Sequence, residues 1–182
     1  MKFLFILSIV SMLSFAARAE GPKADTFKVG ALFGNVALTN DGTTPDIGKN
    51  SIGLGAIFGY SIEDELSFEF SYITSDHDDL DHKDLSLGVN YYFNSYEPFY
   101  YNFSGGASFT ENELSGATAT GKDSAFGLYA GVGADVFTKR DLIIGLQARY
   151  YKMFSSEKSI STVNYNIVDD YYTVMARMMF QF

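Results

Sequence analysis

The sequence predicts an all-β fold, an eight-stranded antiparallel up-and-down transmembrane β-barrel. From residue 26 onward, apolar residues alternate with small or polar ones, which is the period of a β-strand with two unlike faces. The composition agrees, because 16% of the 182 residues are aromatic, 19% are charged, and glycine is abundant while proline is rare. Such a chain has too many aromatic residues for a disordered protein and too many poor helix formers for a helical bundle.

The first 19 residues stand apart from this pattern. Lys2 precedes an apolar run over residues 3–15, and Ala17, Arg18 and Ala19 match the small-x-small motif at which secretory signal peptides are cleaved. The apolar run is short for a membrane-spanning anchor. We therefore predict a signal peptide over residues 1–19 and a single barrel domain over residues 20–182.

Eight segments carry the alternation, and each is close to the roughly 9–11 residues that a tilted strand needs to cross a bilayer. Named by the first and last residues of their apolar faces, they are Phe27–Phe33, Ile52–Tyr60, Leu66–Tyr72, Leu85–Phe93, Phe99–Phe109, Phe126–Val136, Leu142–Tyr150 and Tyr172–Phe182.

The first four segments each set an aromatic or aliphatic face against a polar or glycine-rich one. The first has Lys28 on its second face, and the second has glycine at positions 53, 55 and 59. The third sets Glu69 between two serines, and the fourth carries Asn90 beside a glycine. Apolar and aromatic residues on one face only favour a pleated, half-buried strand in each case.

The last four segments repeat the arrangement. The fifth has Asn102 on its polar face, with Gly105 as the one gap in its apolar face. The sixth places Asp135 among glycines, the seventh carries Arg149, and the eighth carries Arg177. All eight segments are therefore expected to be strands of the same sheet.

The placement of glycine indicates which face points inward. Nearly every glycine in the segments lies on the polar face, and an eight-stranded barrel has an interior only wide enough for packed side chains. We therefore expect the small, polar face to line the lumen and the apolar face to meet lipid. The alternative is a soluble barrel of the lipocalin type with its apolar face inside. Its solvated outer face would carry lysine and glutamate rather than glycine and serine.

The connections are expected to alternate in length. Those after the second, fourth and sixth segments are short, at residues 62–65, 94–98 and 138–141. Those after the first, third, fifth and seventh are longer, at residues 39–50, 75–84, 110–123 and 155–170. Bacterial outer-membrane barrels have short periplasmic turns and longer extracellular loops. We therefore expect the long loops outside the cell and both termini in the periplasm.

Three stretches resemble a known family. Residues 175–182, MARMMFQF, look like the carboxy-terminal strand of outer-membrane barrels, and residues 54–72 and 88–93 are similar to the hairpins of small eight-stranded barrels. These barrels form the group of the OmpA transmembrane domain, OmpX and the opacity proteins. The resemblance implies the outer membrane of a diderm bacterium. It also implies that Met178, Phe180 and Phe182 form a signal read by the barrel-assembly machinery. Because the sequence ends at Phe182, we expect no periplasmic peptidoglycan-binding domain.

Charged residues fall on the predicted inward face, and they are Lys28, Glu69, Asp135, Arg149 and Arg177. Charges inside a narrow barrel must pair, because removing an unpaired charge from water costs several kcal/mol. We predict an ion-pair network that plugs the interior, with a gate that re-pairs to pass small ions as the alternative. Glu69 should meet an arginine across the lumen, but the choice between Arg149 and Arg177 stays open.

An acidic segment, residues 75–84, contains candidate metal ligands. Asp76, Asp78 and Asp81 offer oxygen ligands for calcium, and His77 and His82 offer nitrogen ligands for zinc or nickel. The segment lacks the glycine of a calcium-binding loop and fits no established zinc spacing. We therefore predict a solvated surface loop and no metal or other cofactor, and leave open whether the loop holds divalent ions beside lipopolysaccharide.

The function follows less directly from the sequence than the fold does. A formal charge of -9 argues against nucleic-acid binding, and the absence of cysteine excludes thiolate sites. Both histidines lie in one segment and neither belongs to a His-x-Ser pattern of the deacylase type, so we do not expect an enzyme. We predict a monomer with a structural or surface-interaction, adhesion-like role, in contact with outer-membrane lipids and lipopolysaccharide. The alternative is a narrow channel, or an OmpW-like conduit for small or hydrophobic solutes.

Overall fold

The computed structural model describes residues 21–39, 50–96, 99–115, 120–138, 141–154, 158–160, 163–165 and 170–182. The expected signal peptide, residues 1–19, lies outside the described residues. The strands are β1 (Thr26–Thr39), β2 (Asn50–Ser61), β3 (Leu66–His77), β4 (Leu80–Tyr96), β5 (Phe99–Ser115), β6 (Thr120–Phe137), β7 (Leu142–Phe154), β8 (Lys158–Ile160), β9 (Val163–Tyr165) and β10 (Asp170–Gln181). In the described part of the chain, no helix is long and apolar enough to cross a membrane.

Eight of these strands close a barrel, as the sequence predicts. Strands β1 to β6 each pair antiparallel with the next strand in the chain, and β10 pairs with both β7 and β1. The seam between β1 and β10 continues to the last residue, where Phe27 N donates to Phe182 O at 2.9 Å and Phe182 N donates to Phe27 O at 3.0 Å. Closure removes the sheet edges, so the backbone groups of the ladder pair with one another, as a lipid environment requires.

The apolar faces of the barrel strands point outward. Leu54, Leu87 and Leu146 are 56%, 59% and 61% exposed, whereas the polar residues that alternate with them are buried. On β6 the apolar row runs from Phe126 to Val136, which at about 3.3 Å per residue and a tilt of about 40° spans roughly 25 Å. This is the height of the lipid-facing band of outer-membrane barrels. The lipocalin arrangement is therefore excluded.

Two of the predicted long loops are strand instead. β3 continues to His77 and β4 begins at Leu80, so the connection is a two-residue turn of Asp78 and Asp79. Asp78 has a φ of 55°, a left-handed conformation that aspartate tolerates better than most residues. β5 and β6 likewise extend to Ser115 and from Thr120. The prediction was wrong here because these extensions are largely polar on both faces, so the hydrophobic period ends before the hydrogen-bonded ladder does.

The connection between β7 and β10 contains an element that the sequence analysis did not predict. β8 and β9 pair antiparallel as a small separate sheet, with Lys158 opposite Tyr165. Two three-residue strands are too short for alternation to reveal them.

The barrel interior is more apolar than predicted. Inward positions include large apolar residues, among them Leu32, Val36, Ile57, Ile73, Tyr151, Met175 and Met179. Val36 packs where the next strand carries glycine, since a Cβ on Gly53 would lie 2.6 Å from Val36 Cγ2, whereas a Cβ on Gly30 or Gly34 would first meet the backbone of β10. Gly53 thus gives space to a specific bulky side chain on the neighbouring strand.

Candidate functional site

A chain of ion pairs crosses the barrel interior. Glu69 on β3 accepts hydrogen bonds from two arginines, from Arg149 Nη2 on β7 at 2.9 Å and from Arg177 Nη1 on β10 at 3.2 Å. Arg177 also pairs with Asp135 on β6, its Nε donating to Asp135 Oδ1 at 2.7 Å and its Nη2 donating to Oδ2. All four side chains are buried. Carboxylates and guanidiniums alternate in this four-residue chain, so its charges balance. We call it the lumen network.

Glu69 contacts both arginines, although the sequence analysis left the choice between them open. Neutral groups add contacts, because Ser71 Oγ accepts from Arg149 Nη1 at 3.1 Å and Gln147 Oε1 accepts from Arg177 Nη1 at 3.3 Å. Hydrogen bonds to charged groups are among the stronger ones in proteins. Several such bonds to each arginine offset the cost of removing it from water.

The fifth predicted residue, Lys28, joins the network differently. Its Nζ lies 5.1 Å from the centre of the Tyr92 ring and has no hydrogen-bond partner among the described residues. The Tyr92 hydroxyl donates to Asp135 Oδ2 at 2.8 Å. Lys28 therefore meets the network through the face of an aromatic ring, and Tyr92 connects it to Asp135. Alternation with Tyr91 already places Tyr92 on the inward face, but the predicted site included only charged residues, and Tyr92 was therefore missed.

Glycines give the charged side chains their room. Asp135 and Arg177 lie on strands separated by β7, and Gly145 is in register with both of them. A Cβ at position 145 would overlap the Asp135 carboxylate, and one at Gly131 would lie 2.7 Å from Arg149 Cγ. The sequence showed that glycines share a face with these charges. Their position directly beside the charged side chains depends on strand register, which the sequence does not show.

A second polar cluster, missed by the sequence analysis, surrounds Asp84 on β4. This buried carboxylate accepts hydrogen bonds from Ser86 and Ser108, and from the Tyr171 hydroxyl at 2.6 Å. The Tyr171 ring stacks on Tyr151, with centroids 4.2 Å apart. Asp84 was assigned to a surface loop, and only the extension of β4 turns it into the barrel.

The two histidines also lie inside the barrel, which corrects the prediction of a solvated loop at residues 75–84. His82 Nδ1 lies 2.7 Å from Asn112 Oδ1, a hydrogen bond in which the imidazole N–H donates, and His77 Nε2 lies 2.9 Å from Ser75 Oγ. The side chains of the two neighbours of His82, Asp81 and Lys83, point outward above the apolar band. This part of β4 is therefore outside the membrane-spanning segment. Burial lowers the pKa of His82, and the Asn112 hydrogen bond and Asp84 oppose the shift.

The candidate metal ligands of this segment are divided between the two faces of the sheet. Asp76 and Asp81 are exposed on the outer face and Asp78 is exposed in the turn, whereas His77 and His82 are buried inside the barrel. Within the described ranges, no group of three or more histidine, cysteine, aspartate or glutamate side chains is placed to hold a metal ion. Alternation along a strand, not loop geometry, sets this separation.

The residues of the expected assembly signal lie on the outer surface of the closing strand. Met178 and Phe180 on β10 and Phe182 just after it are 51%, 52% and 69% exposed. The Phe182 ring lies 6.4 Å from that of Phe27, between ring centroids. The residues therefore share one lipid-facing edge at the barrel seam, where β10 meets β1.

Comparisons with known proteins agree with this architecture. Three solved structures cover 87%, 90% and 91% of the chain: the N-terminal β-barrel domain of Pseudomonas aeruginosa OprF (14% identity, TM-score 0.63), Neisserial surface protein A (14%, 0.65) and Pseudomonas aeruginosa OprG (16%, 0.66). The chain spans 98%, 100% and 99% of them, respectively. None of the curated proteins matches the sequence. A family model described as the outer membrane protein beta-barrel domain matches residues 5–179. The chain therefore belongs to the outer-membrane β-barrel family.

Proposed function

We propose that this protein is a monomeric, closed barrel that presents its long-connection end at the cell surface for interaction with other molecules. The lumen network is the observation that supports a closed interior. It joins four strands around the barrel, β3, β6, β7 and β10, through side chains that are at most 2% exposed. A permanent open pore would hydrate these groups and would need room that the packed side chains occupy.

The strand extensions support a surface role. Above Phe109 on β5 the outward residues become Glu111 and Glu113, and above Phe126 on β6 they become Ser124 and Lys122. The ladder thus continues beyond the lipid-facing band as a sheet that is polar on its outer face. Rigid strands that project from a membrane hold their connecting loops clear of it, and recognition commonly resides in loops on such scaffolds.

The orientation belongs to the same proposal. We place the end with the connections at residues 40–49 and 155–169 outside the cell, and the end with the turn at residues 62–65 in the periplasm, as in other outer-membrane barrels. Cleavage after Ala19 would then leave both termini periplasmic. Protease treatment of intact cells should cut within residues 155–169 and leave a tag at the carboxy terminus intact.

Conductance in planar bilayers tests the closed interior. The purified barrel should give no large, steady open state, and Glu69→Gln should raise the frequency of brief small openings because Arg149 loses its carboxylate partner. A steady open state in the unmodified protein would contradict the closed interior and support a narrow channel instead. Binding of intact cells to surfaces, compared with cells that produce a variant shortened within residues 155–169, tests the surface role separately.

We infer that the protein is not an enzyme. The buried titratable groups described above are engaged within the barrel by ion pairs or hydrogen bonds, and Lys28 by the face of the Tyr92 ring. The Ser75–His77 contact, the closest arrangement to a nucleophile and base, lies between two buried side chains on one strand. If the purified protein cleaved an ester substrate and Ser75→Ala abolished that cleavage, this inference would be wrong.

A further inference from the structure

We propose that the outer surface of the barrel holds two lipids with anionic phosphate headgroups, each in a groove directly below a lysine–carboxylate pair. The proposal concerns the lipid-facing surface and does not depend on what the loops bind or on whether the interior conducts. It requires only that the chain lies in a membrane, which its family establishes. We call the two grooves the Lys83 groove and the Lys152 groove.

The Lys83 groove lies on β3, β4 and β5 at the border of the apolar band. It has a volume of about 200 Å³, and its outward lining is Tyr72, Lys83, Leu85, Phe109 and Glu111. Register places Tyr72, Leu85 and Phe109 side by side in one row, and Lys83 and Glu111 side by side in the next row toward the long-connection end. The groove therefore has an apolar floor and a charged upper rim.

The pair at this rim is open to replacement. Lys83 Nζ lies 3.6 Å from Glu111 Oε1, and the two side chains are 39% and 45% exposed. Ion pairs with such exposure contribute little to protein stability. A phosphate that reached the groove could bind the Lys83 ammonium without disturbing the ladder beneath it.

The Lys152 groove lies next to the first around the barrel, on β5, β6, β7 and β10. It has a volume of about 460 Å³, and its outward lining is Phe103, Ala130, Val132, Ala148, Tyr150, Tyr172 and Val174. The two alanines leave a depression between larger side chains. Gly105, which pairs with Ala130 in register, is a further small position beside it.

The rim of the Lys152 groove repeats the arrangement of the first. In the row above Tyr150 and Tyr172, Lys152 pairs with Asp170, with Nζ 2.8 Å from Oδ1. The Tyr150 hydroxyl donates to Asp170 Oδ2 at 2.6 Å and so connects the apolar lining to the charged rim. The two grooves thus share one design, in which an apolar depression ends at a lysine.

This design suits an amphiphile with an anionic head. The acyl chain occupies the apolar depression, which is continuous with the lipid-facing surface, and the phosphate lies at the lysine. The chain as a whole carries a formal charge of -9, which repels anionic headgroups. Each lysine is paired with a carboxylate, so local attraction requires the phosphate to replace Glu111 or Asp170 at the lysine ammonium. A lysine close to an anionic headgroup increases affinity by about fivefold.

Native mass spectrometry of the protein released from micelles tests the proposal, with phosphatidylglycerol as the anionic lipid and phosphatidylcholine as the zwitterionic one. We expect the unmodified protein to retain two molecules of phosphatidylglycerol and to prefer it to phosphatidylcholine. Lys83→Gln and Lys152→Gln should each weaken one site by about fivefold, and the double variant should weaken both. Ala148→Leu should fill the Lys152 groove and weaken one site with every charge in place.

Lys23→Gln is the matched control, because Lys23 forms an equally long exposed pair, 3.6 Å from Asp141, at the opposite end of the barrel. It should retain two phosphatidylglycerol molecules. For each variant, an unheated sample that migrates faster on a gel than a heated one shows that the protein had folded. Equal losses in Lys23→Gln and Lys83→Gln would overturn the proposal in favour of general electrostatic attraction. If Ala148→Leu disrupted a dimer and left lipid retention unchanged, the proposal would be overturned, and the occupant of the Lys152 groove would be a second copy of the chain.

Discussion

Asp135 and Arg177 form a bidentate ion pair across a strand that lies between them. β7 separates the two residues, and Gly145 occupies the position on β7 that is in register with both. The pair exists because position 145 carries no side chain. Backbone register, side-chain size and charge thus combine at one point of the barrel wall.

Gly145→Ala should therefore destabilise the barrel more than the same change at an open position. The new methyl group would overlap the Asp135 carboxylate and force it away from Arg177. We expect a loss of about 1–3 kcal/mol, the usual cost of overpacking. Urea unfolding from micelles measures it. Gly105→Ala is the matched control, because a Cβ there would meet its nearest atom, Tyr129 O, at 3.4 Å. Equal effects of the two changes would contradict the role of Gly145.

Glu69→Gln should destabilise the protein by about 3–5 kcal/mol, because it leaves a buried guanidinium without its carboxylate. Arg149 would keep the Ser71 hydroxyl and the Tyr129 ring, 4.7 Å from its guanidinium carbon, whereas Arg177 would keep Asp135. The double change of Glu69→Gln and Arg149→Met should then recover part of the stability.

The double change of Glu69→Gln and Arg177→Met is the comparison for this experiment. It should recover nothing, because loss of Arg177 leaves Asp135 without its guanidinium partner. Free energies of unfolding for the two double variants decide between a coupled network and independent charges. If both recover stability equally, the four charges are hydrated independently and the lumen network has no energetic coupling.

The protein should lose stability as the pH falls below about 6.5, the ordinary pKa of histidine. Burial holds the pKa of His82 below that value in the folded state, so the unfolded chain binds a proton that the folded barrel does not. The stability that neutral His82 contributes is fully present above pH 6.5 and decreases as the pH falls toward the lowered pKa of His82 in the folded barrel. Groups that face His82 are Asp84 and Tyr171 together with His77 and Asn112.

Melting temperatures between pH 7 and pH 5 measure this dependence. His82→Gln keeps a polar side chain but cannot titrate, so its melting temperature should change less over this interval. Carboxylates titrate mainly below it. The assignment to His82 is wrong if the variant and the unmodified protein show the same slope.

Deletion of Phe182 should slow assembly more than it lowers the stability of the assembled barrel. Phe182 adds two backbone hydrogen bonds and one ring contact at the seam, yet its side chain is 69% exposed. Its role in the assembly signal remains a prediction. Outer-membrane yield should fall, while the unfolding midpoint of the protein that does assemble changes little. If deletion of Phe182 left the outer-membrane yield unchanged, the assembly role would be contradicted. Phe33→Ala, another exposed aromatic change near the same seam, controls for the loss of lipid-facing area.

The sequence by itself determined the strands and their faces wherever one face was apolar. Residues such as Phe68 and Phe70 alternate with Glu69 without interruption, and a period of two has one interpretation when the apolar face must meet lipid. The same rule placed Arg149 and Arg177 inside. Where both faces were polar, as around His82 and Asn112, the period carried no information and strand was taken for loop.

The tertiary structure decided which inward residues meet. Glu69 and Arg177 are separated by 108 positions in the chain, and their contact depends on the shear of the barrel, which sets the height of each strand relative to the others. Shear arises from the sum of all strand registers and from closure at the seam of β1 and β10. No local pattern encodes it, and for this reason the pairing of Glu69 with both arginines, the position of Gly145 and the grooves below Lys83 and Lys152 emerged only from the closed barrel.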